Sequence, residues 1–317
     1  MEIVLAQPRG FCAGVVRAVD IVEKALAQFG SPVYVFHEIV HNPYVVNDLM
    51  QKGAVFVDDL DEVPAGAVTI FSAHGVATSV VKQAEEKQLE VIDATCPLVT
   101  KVHLQAQKYS AAACEVIIIG HLGHEEVEGT MGSVPGPVHV VATPADVDSL
   151  TVIDPEKLAY VTQTTLSVDD TKDVIIALQS RFPNIQGPST DDICYATQNR
   201  QNAVRQLCEQ VDLLLVVGAR NSSNSNRLRE VGEQCGKSAH LIQDETEIQS
   251  SWFDCIDKVG VTAGASTPEV LVEKVIARLN DFCVSTVHTM DGVTEKTIFT
   301  LPRALLESKS RAPLKDV

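Results

Sequence analysis

Short apolar, β-branched runs alternate along the chain with longer segments whose apolar residues recur every three or four positions. The runs Ile3–Ala6, Val33–Phe36, Val68–Ser72, Val91–Ala94, Glu115–Gly120, Val138–Val141, Leu158–Thr162, Leu213–Gly218, Ala239–Ile242 and Val259–Ala263 predict strands. Helical patterns lie between them. In Val15–Phe29 the apolar positions are Val15, Val19, Val22 and Leu26, and Gly30 closes the helix. Strands alternating with helices predict an α/β fold with mostly parallel sheets.

The pattern repeats about every 90 residues. Cys12, Cys96 and Cys194 each stand just before a predicted helix (Val15–Phe29, Leu98–Ser110 and Ala196–Cys208), and Pro97 suits the first helical position. A polar loop follows each cysteine after about 25–30 residues: His37–Asn42, Gly120–Glu126 and Gly218–Asn224. A second strand then ends in another small polar loop, Ser72–Gly75, Thr162–Thr165 and Thr262–Ser266. Three similar α/β lobes around a pseudo-threefold axis account for this order, as units 1–95, 96–193 and 194–282 followed by a tail, 283–317. In the tail, Thr297–Leu301 is expected to form a strand packing back on the lobes, and the last dozen residues a frayed end. Because ligands of open α/β sheets bind beyond the carboxyl ends of the strands, the three cysteines and six loops are expected to converge.

Composition narrows what such a centre does. With 317 residues, 45% hydrophobic and 21% charged, the chain reads as globular. Its longest apolar runs, such as Val116–Ile119 and Leu213–Val217, fall far short of a membrane span, and Met1–Gly14 lacks the pattern of a secretory signal. The expected location is the cytoplasm. Acidic residues outnumber basic ones 42 to 25, a net charge of −17, which speaks against nucleic acid and anionic membranes as partners. An anionic ligand would have to be held by local donors against that field. Eight cysteines without a CxxC argue against zinc knuckles and thioredoxin-like motifs.

Three cysteines at helix starts suit metal, since a helix N-terminus stabilises a thiolate. They would hold three irons of a [4Fe–4S] cluster and leave the fourth open as a Lewis acid, or else pack as three core residues. His41, His74 and His124 at strand ends suit an anion site. Ser222, Ser223 and Asn224 add neutral donors, and Ser266 heads a helix in Ser266-Thr-Pro-Glu269, which is both a capping box and a natural phosphate site. Glu126 in a dry pocket would be a proton donor, with Thr164 relaying the proton or orienting a substrate hydroxyl. No Walker motif or GxGxxG follows a strand.

These residues resemble one family closely, the 4-hydroxy-3-methylbut-2-enyl diphosphate reductases (LytB/IspH). The resemblance rests on Pro8-Arg-Gly-Phe-Cys12-Ala-Gly14, His37-Glu-Ile-Val-His41-Asn42, Phe71-Ser-Ala-His74-Gly75, Asp93-Ala-Thr-Cys96, Gly120–Gly132, Thr162-Gln-Thr-Thr165, Asp191-Asp-Ile-Cys194, Asn221–Arg227 and Gly260–Ser266, which together span residues 1 to about 280. It implies a trefoil of three lobes around one [4Fe–4S] cluster per chain, held by Cys12, Cys96 and Cys194. It implies a diphosphate gripped by His41, His74, His124, Ser222, Ser223, Asn224 and Ser266, and a proton delivered by Glu126 with help from Thr164. The implied reaction removes the C4 hydroxyl of an allylic diphosphate with two electrons from ferredoxin or flavodoxin, giving isopentenyl or dimethylallyl diphosphate at the end of the methylerythritol phosphate route. Two positions depart from the family pattern: Val16 stands where Asp is common, and Glu125 where Pro is common. The alternatives are another open-site [4Fe–4S] enzyme, such as a dicarboxylate dehydratase, and an iron–sulfur redox sensor without catalysis.

Overall fold

A computed structural model describes residues 1–188, 192–282 and 286–306. Its strands are β1 (Glu2–Leu5), β2 (Val33–Phe36), β3 (Ala54–Val57), β4 (Val68–Phe71), β5 (Glu90–Asp93), β6 (Glu115–Ile119), β7 (Val138–Val141), β8 (Leu158–Thr162), β9 (Leu213–Val217), β10 (Ser238–Ile242), β11 (Lys258–Ala263) and β12 (Thr286–Thr289). Its helices are α1 (Ala13–Phe29), α2 (Pro43–Gln51), α3 (Thr78–Glu86), α4 (Pro97–Ala111), α5 (Glu125–Ser133), α6 (Pro144–Ser149), α7 (Val168–Arg181), α8 (Tyr195–Cys208), α9 (Ser223–Gln234) and α10 (Glu269–Phe282). The strands form three sheets, ordered β3-β2-β4-β5, β7-β6-β8 and β10-β9-β11-β1-β12, and every paired strand is parallel. The α/β class, the parallel sheets and a three-lobed arrangement are therefore as the sequence predicts.

Burial explains why these segments fold as they do. β6 and β9 are buried at every residue, as apolar runs covered by helices on both faces must be. In α1 the buried stripe is Val15, Ala18, Ile21, Val22 and Ala25, with Val19 and Leu26 at its margin, and Gly30 ends the helix at φ 79°.

The boundaries between lobes differ from the sequence reading. Glu2–Leu5, assigned there to the first unit (1–95), pairs with β11 and β12 in the third sheet. The three sheets then become equivalent. β5 leads to Cys96, a single parallel bridge of Gln186 to Ala159 beside β8 leads toward Cys194, and β1 leads to Cys12. Each cysteine thus stands at a junction, where the chain leaves one sheet for the helix preceding the next. The expected strand Thr297–Leu301 is irregular backbone. Its polar groups meet side chains instead of a ladder: Arg17 Nε donates to the Thr300 carbonyl at 2.8 Å, while Ile298 stays 89% exposed. The expected frayed end, from residue 307 on, lies outside the described residues. Among the described residues no helix is long and apolar enough to cross a membrane.

Candidate active site

The backbone at the three cysteines repeats one device. Cys12 N–H donates to the Ala265 carbonyl (3.1 Å), Cys96 N–H to Ala73 (3.0 Å) and Cys194 N–H to Thr164 (3.1 Å). Each acceptor lies in the second polar loop of the sheet just left behind, so the three cysteines are held by equivalent bonds. Each is also the N-cap residue of its helix, α1, α4 or α8, with Pro97 at the first turn of α4 as predicted.

All three cysteines line one cavity together with His41, His74, His124, Glu126, Thr164, Ser222, Ser223, Asn224 and Ser266. Every site residue expected from the sequence is therefore brought together. No Lys or Arg lines the cavity among the described residues. A methyl group on Gly14 would lie 2.8 Å from Cys96 Sγ and 3.7 Å from Cys12 Sγ, so glycine leaves room for whatever the sulfurs hold. Burial pushes the Cys96 thiol up to about 12, with Cys12 and Cys194 adding to the rise. Burial likewise pushes Cys194 up to about 11, opposed by the Thr197 hydroxyl and N–H at its sulfur. Two sulfurs that burial holds against ionisation, gathered with that of Cys12 where no Lys or Arg lines the cavity among the described residues, suit a positively charged metal group as their common partner.

Glu126 is 2% exposed. Its Oε1 accepts the Thr164 N–H at 2.6 Å and its Oε2 accepts the Thr164 hydroxyl at 3.1 Å. Burial nonetheless outweighs these bonds and raises its pKa from 4.5 to about 7. It is thus a carboxyl group that is about half protonated at pH 7 and fixed at both oxygens.

The imidazoles are set in two ways. His124 caps α5 by accepting the Glu126 N–H at Nδ1 (3.1 Å), and burial beside His74 and His41 pushes its pKa down to about 3. It is therefore neutral, with its proton on Nε2 as a donor. His41 and His74 stack at 4.1 Å, and each turns Nδ1 to a carboxylate: His41 to Glu38 Oε2 at 3.1 Å and His74 to Glu125 Oε2 at 2.7 Å. With Nδ1 so engaged, Nε2 of either ring donates only when the ring is charged. Burial lowers the His74 pKa, and Glu125 works against that shift. The His41 bond chiefly holds Glu38 below the usual carboxylate range. For Glu125 burial is the largest influence and raises its pKa, but His74, His41 and His37 together bring it down. Nitrogens of His41 and His74 and an oxygen of Glu125 lie within 4.8 Å of one another. The planes of the two rings lie 16° apart.

Asn224 has both side-chain polar atoms buried without a hydrogen-bond partner, and it faces the cavity. Leaving a buried amide unpaired costs about 1–3 kcal/mol, so the residue is built for a ligand. Ser222 Oγ caps α9, accepting from Ser225 N–H (3.3 Å) and Oγ (3.1 Å), which leaves its own proton to donate. Ser223 and Ser266 are more committed. Ser223 donates to the Thr165 carbonyl (3.3 Å), and Ser266 donates to the His41 carbonyl (3.0 Å). The sequence reading missed Glu38, which holds both His41 and Asn221, and Thr197, which holds the Cys194 sulfur. Their positions, three residues before His41 and three after Cys194, are the available signal.

Comparison with known proteins agrees with this geometry. A family model described as LytB protein matches residues 3–280. The chain is 60% identical over 311 residues to 4-hydroxy-3-methylbut-2-enyl diphosphate reductase of Burkholderia pseudomallei, covering 98% of this chain and 99% of that one. It is 57% identical over 309 residues to the reductase of the same name from Acinetobacter baylyi, covering 96% and 98%. Among solved structures, the E-1-hydroxy-2-methyl-but-2-enyl-4-diphosphate reductase of Plasmodium falciparum superposes with a TM-score of 0.93 at 39% identity, covering 96% of each chain.

Proposed function

The chain belongs to the LytB family, and from that premise we propose that it is an oxidoreductase reducing 4-hydroxy-3-methylbut-2-enyl diphosphate to isopentenyl and dimethylallyl diphosphate, the last step of the methylerythritol phosphate route. Family membership implies an iron–sulfur cofactor and a small-molecule diphosphate substrate. We take the cofactor to be one [4Fe–4S] cluster held by Cys12, Cys96 and Cys194. When bound, it supplies one-electron redox chemistry and, at the iron without a protein ligand, Lewis acidity. Ferredoxin or flavodoxin is the electron donor in this reading, and the cytoplasm, where thiols stay reduced, is its location. The lobes act as units, with Cys12, Cys96 and Cys194 at their seams.

Removing the hydroxyl as water takes up two protons and two electrons, so the protein must deliver protons to a dry site. Glu126 holds one at a carboxyl group that burial keeps partly protonated near pH 7, and passes it to the departing hydroxyl. Thr164 fixes that carboxyl through two bonds and presents a hydroxyl to the cavity that orients the substrate oxygen. A second proton, added at either end of the three-carbon unit, decides which product forms. The diphosphate is held by His41, His74 and His124, by Ser222, Ser223 and Asn224 at the start of α9, and by Ser266. The observation that carries the reading is the convergence of three N-cap cysteines, a buried protonated glutamate and cation-free anion donors on one cavity.

The test is anaerobic turnover of the diphosphate by the purified chain, followed as oxidation of a reduced viologen dye. Substrate-dependent oxidation yielding both five-carbon diphosphates is the expected result. No turnover by a chain carrying its cluster would overturn the substrate assignment and bring forward a dehydratase or sensor.

A further inference from the structure

Arg200, on α8, is 0% exposed, and its guanidinium is fully used. Nε and Nη2 donate to the Gly10 carbonyl at 3.1 and 2.8 Å, Nη2 reaches the Phe11 carbonyl at 3.4 Å, and Nη1 donates to the Ala196 carbonyl at 2.9 Å. Gly10 and Phe11 immediately precede Cys12, and Ala196 lies two residues after Cys194. One side chain therefore ties the approach to the first cysteine to the helix capped by the third. Gly10 holds a left-handed φ of 68°, so the loop is not a conformation that every residue would keep unaided.

The charge is balanced from a distant part of the chain. Glu295 contacts Nη1 at 3.1 and 3.3 Å and Nη2 at 3.3 Å, and also accepts from Asn199 at 3.0 Å. It sits in a C-terminal strap beyond the family-matched residues. The strap starts at β12 on the third sheet and passes Gln7 so closely that a Cβ on Gly292 would lie 2.0 Å from its carbonyl oxygen. It ends with Leu305 buried in the core of the first lobe. A buried arginine without its carboxylate must be rehydrated, which pulls it from the carbonyls it holds.

We infer that Glu295 is a positioning residue for the cofactor: by neutralising buried Arg200 it clamps the Cys12 loop to the Cys194 helix, so that this one contact from the C-terminal strap, and not the strap's anchoring as a whole, sets how firmly the iron–sulfur group is retained. The inference rests on the cysteine assignment proposed above. Groups supporting a metal's ligands typically change its retention by about 10–100-fold.

The test uses the full chain loaded with its cluster anaerobically, as wild type, Glu295→Gln, Glu295→Ala and Leu305→Ala. The last loosens the far end of the strap and leaves the clamp intact. Iron transfer to a chelator is timed, and the melting temperature and the electron paramagnetic resonance spectrum of the reduced cluster are recorded. The Glu295 variants are expected to lose iron at least about tenfold faster with an altered spectrum, while Leu305→Ala melts lower but keeps the wild-type rate and spectrum. Wild-type rates in the Glu295 variants, or equal acceleration in Leu305→Ala, would overturn the clamp. A wild-type chain that takes up no cluster would instead overturn the cysteine assignment, and the clamp with it. Should Glu295→Ala fail to fold, Glu295→Gln, which keeps the side-chain volume, decides.

Discussion

Replacing Glu126 with Gln separates the carboxyl's proton from its shape. Both Thr164 contacts survive the change: Oε1 still accepts the N–H now at 2.6 Å, and the new amide can donate to the hydroxyl now at 3.1 Å. The proton does not survive. The folded pKa of Glu126, about 7, exceeds the ordinary value of 4.5, so between those limits the folded chain keeps a proton that the unfolded chain has released. The group's stabilising contribution is therefore fully present below about pH 4.5 and is lost as pH rises toward 7. At 1.36 kcal/mol per pH unit, the wild type should lose about 2–3 kcal/mol more stability than the Gln variant between about pH 5 and pH 8.

The assay is chemical denaturation of both proteins across that range under anaerobic conditions, beside turnover at each pH. Turnover of the variant should fall by about 10²–10⁴, the usual worth of a general acid, and wild-type turnover should decline as pH passes about 7. Parallel stability curves would refute the claim that burial holds Glu126 protonated. Undiminished turnover would refute its role as donor, whatever the stability curves show.

Ser in place of Cys96 or Cys194 should abolish stable iron and sulfide content and bring turnover to background, checked by metal analysis after anaerobic reconstitution. Asn224→Ala should raise the KM for the diphosphate by about 10–100-fold, the worth of hydrogen bonds to a charged group, without lowering the melting temperature, because its polar atoms are unpaired within the protein. Glu125→Pro should fold, since Glu125 is the first residue of α5, where proline is favoured. It removes the carboxylate that supports a charged His74, so the pH above which KM rises should move downward; an unmoved profile would show that the pair does not tune substrate binding.

The site was legible in the sequence because its parts recur. Three cysteines at helix starts and six polar loops at strand ends share one order, and parallel sheets force such loops to one side. Sheet membership was not legible for β1: three apolar residues after a glutamate fit any sheet, and only partners far along the chain, β11 and β12, decide. β12 escaped because its four residues are all exposed and bear no apolar pattern. Thr297–Leu301 misled in the opposite sense, carrying strand-forming residues where no ladder receives them. The charge state of the imidazoles was equally hidden. The number of histidines says nothing about which nitrogen faces a carboxylate and which a backbone N–H.

That last distinction answers how a chain of net charge −17 holds a diphosphate. A cluster of arginines would bind the anion but would also bind substrate and product alike, since both carry the same diphosphate. Here the cavity offers a neutral donor at His124, unpaired amide atoms at Asn224 and the N-terminus of α9, whose backbone dipole favours an anion without any titratable group. A charged donor is supported at His74, where the Glu125 carboxylate lies 2.7 Å from Nδ1 and works against the burial that lowers the ring's pKa. On the proposed assignment the anion end of the cavity therefore relies mainly on neutral donors, while the proton for the reacting end is held at Glu126.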